Sequence, residues 1–465
     1  MAFHRSLGLF DSTMLVAGSM IGSGVFIVSA DIARTMGSPS LVLLVWGITG
    51  LLTLIAASSY GELAGMMPQA GGQYVYLRKS FGPLAGFLYG WTLFTVIQTG
   101  TIAAVAMAFA KFTAVLIPAI SEKNILFSLG WMTFSPAQLL AIASIVILTA
   151  LNTRGVELGK TIQNMFTSTK IISVVGLALV GLVIGLGRND IGAVMSQPST
   201  VHFDSSLAFM AAIAVAMVGS VFSSDAWNNI TFAAAEVKEP NRTIPRSLIY
   251  GVVLVTVLYL LTNLAYVMLM PTMGDSAGAD AMARGISHAT NDRVGSAAAE
   301  VMFGGAGAAI MAVLIMVSTF GCNNGLILSG SRAYFAMADD GLFFKRAAVL
   351  NAKGVPATSL WIQCIWACVL CLSGQYGALL DYVVIAVLIF YALTILGIFR
   401  LRSTQPLAER PIKAFGYPFL PALYIVAALF ICVCLLIMKP GTTWPGFIII
   451  ALGVPVYFAW TTSRR

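Results

Sequence analysis

The stretch "GSMIGSGVF", Gly18 to Phe26, lies inside the first long apolar run of a 465-residue chain. Three glycines and two serines in the middle of a membrane-length segment each weaken a helix. They predict a helix that stops near Gly22-Ser23-Gly24 and then restarts. The competing reading is a close-packing face, because Gly18 and Gly22 stand four apart and small residues at that spacing let membrane helices approach. Packing alone does not account for a second polar interruption, "VGSVFSSDAWNNI" from Val218 to Ile230, in the sixth apolar run. Breaks at corresponding places in two halves point to an inverted-repeat transporter whose site lies mid-membrane.

The composition fixes the setting. Hydrophobic residues make up 58% of the chain and charged residues 9%, far below the roughly 25% charge of soluble domains. This is an all-α, polytopic membrane protein embedded in a lipid bilayer. A span needs about 20 apolar residues, and twelve candidates fall near 11–35, 40–66, 83–117, 135–153, 160–187, 206–235, 243–270, 298–336, 358–374, 377–400, 418–438 and 444–462. The expected organisation is a first repeat over 1–187, a second over 188–400, and two appended helices over 401–465. The longest connection, 271–296, has room for one or two short surface helices.

With the N-terminus in the cytoplasm, 18 of the 26 Lys and Arg fall on the cytoplasmic side and seven on the other, with Lys170 set apart. The positive-inside rule then puts both termini in the cytoplasm, and the sequon Asn241-Arg242-Thr243 falls on the side that is not glycosylated. The net charge of +8 follows from this topology, and no clustered basic domain offers a nucleic-acid surface. The first span carries no cleavage pattern and is expected to be retained.

All six cysteines lie in apolar runs, so disulfides between outer loops are not indicated. Cys364, Cys368 and Cys371 form a CxxxCxxC of iron-sulfur type. Their spacing equally places them on one helix face, where cysteine acts as a small hydrophobe. No metal or cofactor is expected. The three histidines, His4, His202 and His288, lie outside the spans, which leaves an integral membrane enzyme without convergent ligands or a nucleophile and base.

A broken helix exposes N–H groups at the start of one half and carbonyls at the end of the other. In hydrocarbon such groups cost several kcal/mol each unless they are satisfied. A zwitterion satisfies both: its carboxylate suits the N-terminal end of the second half of span one, and its ammonium suits the carbonyl ends of spans one and six. Phe222 and Trp227 could be packing aromatics, or Phe222 could cover bound substrate as a gate. Lys170 stands ten residues after Lys160, about 15 Å along a helix. The polar "TIQNMFTST" before it leaves open whether Lys170 is buried between helices or snorkels to the interface. Asp225 could bind freed N–H groups, carry a coupling proton, or select a cationic substrate.

These residues resemble the amino acid, polyamine and organocation superfamily, and within it the L-type amino acid transporter family. The resemblance covers spans one to ten. It rests on Gly18 to Phe26, on "GELAGMMPQAGGQYVYLRKSFGPLAGFLYGW" (Gly61 to Trp91), on Lys170, on "DAWNNITFAAAEVKEPNRTIPRSL" (Asp225 to Leu248) and on "STFGCNNGLILSGSRAYFAMADDG" (Ser318 to Gly341). It implies a LeuT-like fold of five plus five spans with discontinuous helices one and six, working by alternating access. It implies that backbone at Ile21, Gly22, Ser23 and Gly24 meets the substrate carboxylate, that carbonyls near Met20 and Phe222 meet the ammonium, and that Phe222 is the gate. Ser223, Ser224 and Asp225 complete the expected substrate site. Lys170 would take the place of the sodium found in some relatives, tying span one to span eight near Ser318.

Relatives commonly carry an aromatic at the place of Ser224 and a glycine at that of Asp225, so a different pocket is expected here. Animal relatives join a glycoprotein heavy chain through a cysteine between spans three and four. The loop Leu116 to Ser135 has none, so no disulfide-linked heavy chain is expected. The resulting expectation is a sodium-independent exchanger of small or medium neutral L-amino acids in a bacterial inner membrane. The alternative is a proton-coupled symporter, with cationic amino acids or amines among its candidate substrates.

Overall fold

The computed structural model describes residues 3–129, 132–372 and 376–462; Arg464 and Arg465 of the charge count lie outside them. The first span is two helices, α1 (Leu9–Met20) and α2 (Ser29–Met36), joined by a single 3₁₀ turn at Gly24–Phe26. Next come α3 (Pro39–Met66), α4 (Gln73–Phe81), and α5 (Pro83–Thr92) running through a π segment at Leu93–Ile97 into α6 (Gln98–Leu116). A small antiparallel hairpin, β1 (Phe127–Leu129) and β2 (Met132–Phe134), precedes α7 (Pro136–Asn152). The composition of this loop gave no signal for the hairpin. The chain continues through α8 (Val156–Arg188), the short α9 (Ile191–Met195) and α10 (Ser206–Ser223), then breaks before the single turn α11 (Asn229–Phe232).

The second half holds α12 (Pro240–Leu269), α13 (Ala281–Arg284), α14 (Val294–Phe303) and α15 (Gly305–Asp339), then α16 (Ala357–Leu372), α17 (Tyr376–Thr404), α18 (Phe419–Met438) and α19 (Pro440–Thr462). Among the described residues, nine helices are long and apolar enough to cross a membrane. The other three of the twelve spans escape that criterion for physical reasons. The first is cut in two, while α7 and α16 have 17 and 16 residues, about 25 Å of rise each. The eighth span differs from its expected bounds. The stretch 298–336 is two helices, because Gly304 adopts a left-handed φ of 69° that stops α14 and lets α15 start afresh.

Local chemistry sets several of these boundaries. Ser135 and Gln138 form a capping box at the start of α7: the Gln138 N–H donates to Ser135 Oγ at 3.3 Å, and the Ser135 N–H to Gln138 Oε1 at 2.8 Å. The connection 271–296 carries the expected short elements, α13 and a 3₁₀ turn at Thr290–Asp292. Gly50 and Gly61 of α3 face Thr256 and Pro245 of α12, so these two long helices pack closely along their length. Outward-facing Ile172, Val183, Val426 and Ile437 are more than 60% exposed, which suits a surface wetted by lipid. All six cysteines are unpaired.

Candidate functional site

The two breaks meet at the centre of the bundle. At the first, α1 ends at Met20 and Ile21 turns extended (φ −75°, ψ 92°), leaving a row of carbonyls at the helix end. Each is taken by a side chain from a neighbouring helix. Lys170 of α8, 1% exposed, donates its Nζ protons to the carbonyls of Gly18 and Ile21, the latter at 2.9 Å. Ser318 of α15 donates to Ile21 O (3.2 Å) or Gly22 O (3.0 Å). Cys322 Sγ donates to Ser19 O at 3.0 Å. The structure thus decides the position of Lys170: it lies between helices, not at the interface.

On the other side of the break the groups on offer are N–H donors. Among the described residues, no acceptor pairs with the N–H groups of Gly22, Gly24 or Val25. Orphan N–H groups at the start of a helical turn are suited to an anion. Gly24 is required here for close approach, since a Cβ on it would fall onto Oγ of Ser223 and stand 3.0 Å from that residue's Cα. A rotamer change cannot relieve contact with backbone. Gly24→Ala is therefore expected to reduce transport at least about tenfold with the protein still folded, read by initial uptake rate alongside a size-exclusion profile; an overpacked core site costs about 1–3 kcal/mol.

The second break runs from Ser224 to Asn228. Ala226 sits at φ +64°, a left-handed conformation costing a non-glycine residue roughly 1–2 kcal/mol. Strain of this kind tends to collect at working sites. Tyr259 of α12 joins the two breaks: its hydroxyl lies 3.0 Å from Met20 O and 3.1 Å from Ser223 O, bridging the ends of α1 and α10. Sequence reasoning missed this residue, because nothing in the apolar run "VTVLYLLTNLAYVML" sets Tyr259 apart from Tyr266 seven residues later. The nearby Asn263, a polar residue inside a span, was the available signal; it accepts from Ser29 of α2 at 2.5 Å.

Asp225 is buried, and its Oδ1 accepts from the Tyr391 hydroxyl of α17 at 2.6 Å. Around it Tyr60, Trp227 and Tyr391 form a ring-on-ring cluster with centroids 4.8 to 5.6 Å apart. Asp225 borders a central space whose walls include Gln73, Gln98, Asn228 and Tyr89. Its free volume is about 10 Å³, the size of one water, so this conformation is closed around the site. Asn228 donates to Gln73 at 2.9 Å and Gln73 to Thr394 at 3.0 Å, cross-linking the second break to α17.

Of the residues expected from sequence, the structure brings Met20 to Gly24, Lys170, Ser318 and Ser223 together at the first break. Asp225 alone of that set borders the central space. Phe222 is buried at the end of α10 and does not line that space; its carbonyl accepts the Asp225 N–H at 3.2 Å. The carbonyl of Met20, expected to meet an ammonium, already accepts from Tyr259.

Comparison with known proteins agrees with this architecture. The family model for amino acid permeases matches residues 7–459. The chain is 28% identical over 467 residues to the mouse b(0,+)-type amino acid transporter 1, covering 98% of this chain and 88% of the relative. It is 29% identical over 463 residues to the human large neutral amino acids transporter small subunit 2, covering 98% and 80%. Both are transporters rather than enzymes, and their match spans all twelve helices. The chain, a twelve-span bundle with spans one and six broken at its centre, belongs to the amino acid permease family.

Proposed function

We propose that the chain carries small or medium neutral L-amino acids by alternating access, without sodium, as an exchanger. The observation that carries the reading is Lys170, a buried ammonium donating to the Gly18 and Ile21 carbonyls beside the Ser318 hydroxyl. Carbonyls and a hydroxyl are the ligands a hard cation would take. Here a fixed protein cation fills that role, which supports transport without a soluble one. The orphan N–H groups at Gly22, Gly24 and Val25 support carboxylate binding, and the relatives' names support an amino acid as cargo. Exchange follows if those groups disfavour reorientation of the empty carrier and substrate relieves them.

The repeats are proposed as 1–187 and 188–400 with 401–465 appended, both termini cytoplasmic, in a bacterial inner membrane. The loop between α6 and α7 contains no cysteine, which supports a carrier working without a disulfide-linked heavy chain. A second reading, proton-coupled uptake or a cationic substrate, draws on Asp225 beside the central space, where Tyr391 is its side-chain partner.

The test is uptake of labelled L-alanine into proteoliposomes without sodium or a pH gradient. Vesicles preloaded with unlabelled alanine are expected to take up label several-fold faster than empty ones. Equal rates would reject exchange. Uptake that needs an inward proton gradient, or that is seen only with arginine or lysine, would favour the Asp225 reading.

A further inference from the structure

Asp225 and Tyr391 also border a second space. Its walls come from α3 (Thr49, Thr53), α10 and its end (Val221, Ser224), α17 (Tyr391) and α18 (Tyr424), and its free volume is about 20 Å³. Beyond it, between α3, α10 and α18, an open groove of about 280 Å³ is lined only by apolar side chains, among them Met210, Met217, Ala427 and Phe430. Leu52 and Ile431 border both spaces. They stand where the two spaces adjoin, and the site proposed here requires a rotamer change there to join groove to inner space. Met210 is 51% exposed, so the groove opens on the surface that lipid covers.

We propose that these two spaces form one binding site, entered from the bilayer, for a long-chain primary amine whose ammonium pairs with Asp225 and whose alkyl chain lies in the groove. The inner space shares Asp225 and Tyr391 with the central space and adjoins the second break at Ser224, while the groove lies apart from both. Charge complementarity selects the occupant. A carboxylate at the closed end of an apolar groove repels fatty acids and gives nothing to a hydrocarbon. An alkyl chain gains little on moving from lipid to an equally apolar groove. Recognition therefore rests on the ammonium–carboxylate pair, strengthened by the low dielectric around it, with the Tyr424 and Trp227 rings beside the head. The inner space admits a group about the size of a water molecule. A primary ammonium fits and a trimethylammonium does not.

The test uses the full-length protein in nanodiscs and tritiated dodecylamine, read by scintillation proximity, with alanine exchange measured on the same preparation. Saturable binding is expected, displaced by unlabelled dodecylamine and at least tenfold less well by dodecyltrimethylammonium or dodecanol. Asp225→Asn is expected to weaken binding at least tenfold. Ala427→Phe, which fills the groove away from the transport path, should do the same while leaving alanine exchange within about twofold. No saturable binding, equal displacement by the trimethyl compound, or unaltered binding in Ala427→Phe would each overturn the proposal. The head-group series needs only the wild-type chain, so a poorly folding variant does not remove the test. Amine binding without alanine exchange would sink the exchange reading and leave this one standing.

Discussion

Lys170→Ala is expected to lower alanine exchange by at least about tenfold in proteoliposomes, with the variant still purifying as a folded membrane protein. The side chain makes charge-assisted hydrogen bonds to Gly18 O and Ile21 O, each worth about 1.5–3 kcal/mol. Removing it strips both from carbonyls that have no helix partner, since α1 stops at Met20. Ser318 still reaches Ile21 and Gly22, so the break does not collapse outright. What is lost is the link that holds the end of α1 against α8 in the closed conformation. Even the smaller bond energy corresponds to about a tenfold effect. Lys170→Met, which keeps an apolar stem without the charge, should behave like alanine in exchange and better in thermal stability. If either variant exchanged alanine at the wild-type rate and affinity, Lys170 would be a packing residue and the case for sodium independence would lose its main support.

This prediction shows where sequence was informative and where it was not. The breaks at Gly22-Ser23-Gly24 and at Ser224 to Asn228 were legible because glycine, serine and asparagine are out of place in hydrocarbon, and the structure has both. The twelve spans were legible for the same reason. The ends were less so: α8 starts at Val156, four residues before the expected 160, because Gly155, at φ +135°, turns the chain into the helix ahead of the polar stretch Glu157 to Lys160. Lys170 could not be placed from spacing alone, because its neighbours allowed both burial and snorkelling. Only its partners at the break in span one, 149 and 152 residues away in sequence, decide between them. Tyr259 was invisible for a related reason. Its role depends on two carbonyls on other helices, and nothing in its own segment encodes them. Local chemistry wrote the breaks into the sequence, whereas what closes around them is tertiary.

The largest stability effect is expected from splitting the buried pair of Arg332 on α15 and Glu236 at the far end of span six. Both side chains are at most 1% exposed, and Glu236 Oε1 accepts from Arg332 Nε at 3.1 Å and Nη2 at 3.0 Å. Arg332 also donates to Leu328 O at 2.5 Å and to Ser331 Oγ at 2.9 Å. Arg332→Ala leaves a buried carboxylate without its cation, which costs about 3–5 kcal/mol. The expected readout is a large fall in melting temperature and in the yield of monodisperse protein. Glu236→Ala should be comparably harmful.

The double variant Arg332→Met, Glu236→Gln is expected to recover most of that loss, because removing both charges also removes the cost of burying them. Its transport separates structure from mechanism. The Glu236 carbonyl accepts the N–H groups of Ser6 and Leu7 at 2.9 and 3.0 Å, and the Lys238 N–H returns to Leu7 O at 2.8 Å. The pair therefore anchors the place where the N-terminal segment, span six and α15 are joined, on the face carrying the N-terminus. If the double variant is stable but exchanges slowly, the ion pair acts as a latch on that face, made and broken in each cycle. If it is stable and exchanges normally, the pair only fixes the register of α15 against span six, and the backbone bonds to Leu7 suffice to close that end.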